Sequence, residues 1–178
     1  MFSTRYSPDL YEAHNHERRA DGWAISVGLG AEWEEREDPS VVLDLEIGLD
    51  GSGRHFCGRA AKRLSDGRLA IFEVIVAGLT TRFLAVLGDM YAASNYFGPA
   101  DVGLAVTGLR GGISFKLSEQ IGIGIRPTPF DKDRYRRTER FSAATHMNDP
   151  RGAARRLVLP LTQAITRESY DPFSGSTI

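Results

Sequence analysis

The chain has a single cysteine, Cys57. One thiol excludes an intrachain disulfide and any zinc cluster built on cysteines, and it suits a reducing compartment. Lysine is scarce, occurring only at Lys62, Lys116 and Lys132. Arginine therefore carries nearly all the basic charge, a usage associated with GC-rich genomes. No apolar run reaches the roughly 18 residues of a membrane span, because Glu73, Arg82 and Asp89 interrupt the richest stretch. No apolar segment of signal-peptide type follows Met1. A cytoplasmic protein without a membrane partner is expected. The loop Gly108-Leu-Arg-Gly-Gly112 has neither the GxxxxGK[ST] pattern of a phosphate loop nor the GxGxxG of a dinucleotide fold. It reads as a turn between strands. No cofactor, metal or catalytic residue is assigned.

What is present is a chain of 178 residues with average apolar and charged fractions, enough for one domain with a full core. A single domain over 1–178 is expected, with a polar segment at 1–22 and a flexible tail at 169–178. Net charge is −1, but it is unevenly placed. Residues 1–50 hold 12 acids and 4 bases, while residues 126–168 hold 10 bases and 5 acids. The two ends either face each other or present surfaces of opposite sign.

Leu10–Ala20 reads as a short polar helix capped by Asp9. Its His14 and His16 fall on a solvated face, since residues two apart on a helix point in different directions. Trp23–Val27 alternates as a short strand, and the acidic run 31–40 reads as a surface loop. Val41–Leu49 is the clearest strand, with Val41, Leu43, Leu45, Ile47 and Leu49 on one face and Asp44 and Glu46 on the other. Asp50-Gly51-Ser52-Gly53 supplies a hairpin turn, and Arg54–Leu64 the returning strand. Arginines beside Asp44 and Glu46 imply cross-strand ion pairs.

Leu69–Phe97 predicts the central helix, stopped at Gly98-Pro99. Ala77, Thr81, Ala85, Gly88 and Ala92 form a stripe of small residues along it, where another backbone approaches closely. That backbone belongs either to this chain or to a second copy across a homodimer seam. Val102–Leu109 is a further strand, and Ile121–Ile125 a twisted strand or strand-like loop. Asp131–Met147 mixes Tyr135, Arg136, Arg137, Arg140 and Phe141 with nearby acids. A last helix follows, with Asn148 or Asp149 as N-cap and Pro150 in its first turn. Its Leu157, Leu161 and Ile165 make an apolar stripe, Arg151, Arg155 and Arg156 a polar face, and Pro160 kinks or shortens it. The fold expected is α+β: two layers, with a mostly antiparallel sheet against one long central helix and a C-terminal helix.

The segments VVLDLEIGLDGSGRHFCGRA, GLTTRFLAVLGDMYAASNYFGPADVGLAVTGLRGGIS and RRTERFSAATHMNDPRGAARRLVLPL together resemble the C-terminal region of actinobacterial proteins that carry an N-terminal Schlafen AlbA-type DNA-binding or ATP-binding domain. The resemblance covers roughly residues 40–165. It implies an accessory domain of a cytoplasmic bacterial regulator. The family's nucleotide contacts lie in the N-terminal domain, which has no counterpart here, so no functional residue carries over.

Three functions follow as expectations. The first is a non-catalytic binding domain that meets nucleic acid through Arg136, Arg137, Arg140, Arg155 and Arg156, whose guanidiniums suit phosphates. The second is a small enzyme using Asp44, Glu46, His55 and Cys57 near the first hairpin, or His146. The third is a homo-oligomerisation module built on the small-residue seam.

Overall fold

The computed structural model describes residues 15–27, 43–58, 60–118, 128–167 and 170–174. The expected Asp9 cap, His14, the acidic run 31–40 and the glycine run 121–125 lie outside the described residues. The protein is α+β, with antiparallel strands and packed helices. Its contacts divide it into two compact units, 1–59 and 60–178.

The first unit holds a four-stranded antiparallel sheet in sequence order: β1 (Asn15–Arg19), β2 (Gly22–Val27), β3 (Leu43–Gly48) and β4 (Gly53–Cys57). Residues 15–19 are therefore strand, where a helix was expected. The cause is nonlocal, since every residue of β1 pairs with β2 in the register Asn15 to Ser26 through Arg19 to Gly22. The strand expected at 41–49 is β3, with Leu43 and Leu45 buried. Gly51 takes a φ of 80° in the turn that follows, a conformation glycine adopts without strain.

The returning strand is shorter than expected. β4 ends at Cys57, and β5 (Ala61–Arg63) belongs to another sheet, where it pairs with β6 (Leu69–Ile71). The turn between β5 and β6 has Gly67 at φ 83°. Asp66 there accepts the Arg68 backbone N–H and pairs with its guanidinium.

The central helix is α1 (Glu73–Ala93), so 69–71 is strand and the helix stops before Phe97. Its end is set by Asn95 at φ 52°, which lets the Tyr96 N–H donate back to the Tyr91 carbonyl at 2.8 Å. That bond closes a Schellman-type cap with asparagine in place of glycine. β7 (Pro99–Val106), β8 (Ile113–Ser114) and the one-turn α2 (Phe115–Ser118) follow. β8 lies parallel to β6, the single parallel pair among the described strands. The glycine-rich loop before it is a turn, with Gly108 and Gly111 at φ 70° and 77°.

The arginine-rich segment is strand β9 (Tyr135–Ser142), antiparallel to β7. α3 (Ala143–Asn148) and α4 (Pro150–Thr166) complete the second unit. Asp149 caps α4 by accepting the Gly152 N–H at 2.7 Å, with Pro150 at the helix start. α4 runs on through Pro160 to a left-handed Arg167. Pro160 removes only the bond to the Arg156 carbonyl, and the packed Leu157, Leu161 and Ile165 hold both halves in line.

The core of this unit is Ile71, Leu84, Leu109, Leu157, Val158, Leu161 and Ile165, with α1 packed on α3 and α4. By length and composition alone α1 would suffice to cross a membrane, with an 18-residue stretch of mean hydropathy 1.4. Leu84 through Gly88 are nevertheless buried within the chain. Residues 170–174, expected in a flexible tail, form a turn tied to α4. Arg151 donates to the Phe173 carbonyl at 2.6 Å, and Arg155 to Asp171.

Candidate anion-binding groove

β9 alternates strictly, as a strand must. Tyr135, Arg137, Glu139 and Phe141 turn one way, with Phe141 buried, while Arg136, Thr138, Arg140 and Ser142 are exposed on the other face. The Tyr135 hydroxyl donates to the Leu157 carbonyl at 2.6 Å and so fixes β9 against α4. On α4, Gly152, Arg155, Arg156, Leu159 and Pro160 recur at steps of three and four, which places them on one stripe of the helix.

That stripe and Arg137 of β9 line a cleft of about 310 Å³. Beyond Pro160, which lines both, a second cleft of about 740 Å³ is bounded by Thr128–Lys132, Arg134–Arg136 and Ala164. The two clefts meet at Pro160 and lie beside α4 between Gly152 and Ala164, a span of about 18 Å at 1.5 Å per residue, and together are termed the groove.

The charge of the groove is organised, not merely accumulated. Glu139 bridges two arginines: its Oε1 accepts Nε and Nη2 of Arg137 at 3.0 and 2.6 Å, and its Oε2 accepts Nη2 of Arg156 at 2.6 Å. These bonds, Arg137's first, hold the Glu139 carboxyl below its ordinary value, so it stays ionised at neutral pH. Arg156 also lies 4.7 Å over the Phe141 ring, a cation–π contact that fixes its plane. Arg155 donates Nε and Nη2 to Asp171 Oδ2 at 3.2 and 2.9 Å. Among the described residues, Lys132, Arg134 and Arg136 in the wider cleft form no ion pair.

Of the five arginines expected at a nucleic-acid surface, Arg136, Arg137, Arg155 and Arg156 line this groove. Arg140 does not. It shares a face of β9 with Arg136 but lines neither cleft, and it forms a two-pronged ion pair with Asp101 of β7 at 2.7 Å. Sequence reading passed over Lys132 and Arg134, although both sit in the run DKDRYRR. It also passed over Glu139 and Asp171 as organisers. For Glu139 the alternation of β9 was the available signal; for Asp171 there was none.

The residues considered for an enzyme do not converge. In the register of β3 and β4, Asp44 faces Phe56 and Glu46 faces Arg54, so all four share one side. His55 and Cys57 fall on the other side, with Leu45 and Leu43. The reason is register, because a shift of one residue across the hairpin exchanges the faces. Burial drives the His55 pKa down to about 4, although the Asp44 charge pulls it up.

Cross-strand pairing on the polar side is as expected, with one addition. Arg19 of β1 reaches over the small residues Gly22, Ala24 and Ser26 of β2. It donates to Asp44 and Glu46 at 2.7 Å each, and Arg54 donates to Glu46 at 2.8 Å. These two arginines, Arg19 first, lower the Glu46 pKa. His146 lies far from this hairpin in sequence, on α3, fully buried between the rings of Tyr91 and Phe141.

In the small-residue stripe, Ala77, Ala85 and Gly88 are buried by this chain itself, Thr81 is half-buried and Ala92 is exposed. Among the described residues no group of three or more His, Cys, Asp or Glu side chains is placed to hold a metal ion. Compared with protein families, with characterised proteins and with solved structures, the chain matches none.

Proposed function

We propose that the second unit is a non-catalytic accessory domain that binds single-stranded nucleic acid along the groove between β9 and α4, in a cytoplasmic bacterial regulator. The observation that carries this reading is the lining of one groove by Lys132, Arg134, Arg136, Arg137, Arg155 and Arg156, set against three carboxylates, Asp131, Glu139 and Asp171. A positive groove that tracks a phosphate backbone, with an aromatic beside it, is how single strands are held without sequence preference. Tyr135 supplies that aromatic surface in the wider cleft. Concavities of this size take a ligand of nucleotide dimensions. The reading agrees with the accessory role implied by the resemblance to the C-terminal region of AlbA-type proteins.

The test is titration of the full chain into labelled single- and double-stranded DNA and RNA at two salt concentrations. Binding of single strands at low salt that weakens steeply at the higher salt is expected. Undetectable binding at low salt, or affinity indifferent to salt, would remove the proposal.

A further inference from the structure

The two ends of the groove differ in chemistry, and the difference bears on which part of a strand each end receives. In the wider cleft the cations are exposed, and among the described residues none is held by a carboxylate. Free side chains of that kind meet a phosphodiester backbone as mobile point charges. In the narrower cleft every guanidinium is fixed before any ligand arrives. Glu139 holds Arg137 and Arg156, Asp171 holds Arg155, and Phe141 lies beneath Arg156.

The bonds to these holders leave specific donors unused. Arg155 commits Nε and one N–H of Nη2 to Asp171, which leaves Nη1 and the second N–H of Nη2, while Arg137 gives Nε and Nη2 to Glu139 and also hydrogen-bonds Tyr135. Arg156 commits only Nη2 to Glu139, which leaves Nε and Nη1. Three guanidiniums held in place, two from α4 and one from β9, thus border one cleft of about 310 Å³ whose remaining walls are Gly152, Leu159 and Pro160.

A phosphodiester inside a strand offers two unbridged oxygens and a single charge. A terminal phosphate monoester offers three acceptor oxygens and a charge near −2 at neutral pH. Planar guanidinium forks recognise such oxygens with directional, charge-assisted hydrogen bonds that an ammonium does not match. A site already held in position loses little freedom on binding.

We propose that the cleft lined by Arg137, Arg155 and Arg156 is a phosphate-monoester site, which receives the phosphorylated end of a bound strand. The proposal rests on the groove reading above and adds to it a preference for ends. The same chemistry is carried by a free mononucleotide, and the experiment separates the two sources.

Full-length protein is titrated with one single-stranded sequence bearing a 5′-phosphate, a 3′-phosphate or hydroxyls at both ends. In parallel, AMP and adenosine are titrated by calorimetry. An end-phosphorylated strand is expected to bind about tenfold tighter than its hydroxyl-ended counterpart at low salt. Arg155→Ala should weaken every strand through the lost groove charge and in addition abolish that advantage, so the ratio of the two affinities, which should fall from about ten to about one, is the readout. Arg155→Lys, which keeps the charge but loses the fork, should recover only part of it. Arg136→Ala should weaken all three strands alike.

AMP binding that adenosine does not share and that Arg155→Ala removes, with no difference among the strands, would support the site with a free nucleotide as its source. Equal affinity for all three strands together with no AMP binding would overturn the inference and leave the groove reading standing. Failure of every strand and of AMP to bind at low salt would overturn both. Arg155 is exposed and its ion pair among the described residues is with Asp171 of the surface turn, and matched circular dichroism and thermal midpoints confirm that its variants fold.

Discussion

At the scale of single residues, two buried ionisable groups in the second unit make opposite demands on pH. His146 is fully buried, and neither ring nitrogen has a hydrogen-bond partner among the described residues. Burial lowers its pKa below the ordinary value near 6.5. A depressed value in the folded state means that its contribution to stability is complete above the unfolded pKa and is lost as pH falls below it. His146→Leu removes an orphaned donor and an orphaned acceptor from between Tyr91 and Phe141. It should raise stability at pH 7 by about 1–3 kcal/mol and make the decline below pH 6.5 shallower, as read by urea denaturation. A lower stability at both pH values would show that the ring makes bonds this packing does not provide.

Glu73, the first residue of α1, is 3% exposed. Its carboxyl accepts from Ser114 and from the N–H groups of Lys116 and Phe115 at the start of α2, while Oε1 meets no donor among the described residues. Burial raises its pKa, against the pull of those bonds. Here the contribution is complete below the unfolded value and is lost as pH rises through the folded one. Glu73→Gln keeps an acceptor and discards the titration. Its stability relative to the natural chain should grow from pH 4 to pH 7. A gap that stays constant across that range would contradict this account.

At the scale of elements, the sequence was readable wherever local chemistry decides. The Asp50-Gly51 turn, the Asp149-Pro150 helix start and the Leu157, Leu161, Ile165 stripe are all present. In the clearest strand, by contrast, Asp44 is buried beside Leu43 and Leu45, and Leu49 is exposed. What escaped depends on partners distant in sequence. Asn15–Arg19 is polar throughout and becomes a strand because β2 supplies its hydrogen bonds and Asp44 its counter-charge. β9 hides its alternation because its inward face carries Arg137 and Glu139 beside Tyr135 and Phe141. The groove itself needed α4 and β9 placed together, a contact that neither segment announces.

The small stripe on α1 was legible as a close approach but not as to whose. Ala85 is buried within the chain and Ala92 is exposed, so the two substitutions to arginine should part company. Ala85→Arg forces a charge into the packing with no partner and should destabilise the second unit by about 3 kcal/mol or more. Ala92→Arg should stay within about 0.5 kcal/mol of the natural chain. Thermal unfolding measures both. Sedimentation of Ala92→Arg then addresses self-association without unfolding the protein, since a seam between two copies would lose mass on that change.

At the scale of the whole molecule, a net charge of −1 repels a polyanion slightly, so any attraction must come from the local field of the groove. Six bases and three carboxylates line or hold it, an excess of three positive charges. Each phosphate neutralised on a single strand contributes about −0.7 to the slope of log K against log salt, so three predict a slope of about −2. Such a slope is shallow beside those of dedicated repressors and implies weak binding at physiological salt. Arg136→Ala, which removes an exposed cation and disturbs no ion pair among the described residues, should flatten the slope by about 0.7. Glu139→Gln acts in the opposite sense on charge and releases both Arg137 and Arg156 from their holder. It should steepen the slope while erasing the preference for a phosphorylated end, because attraction depends on the number of charges and end recognition on their fixed directions. If Glu139→Gln left the end preference intact, the carboxylate would have no part in positioning the arginines, and the distinction between the two halves of the groove would fall with it.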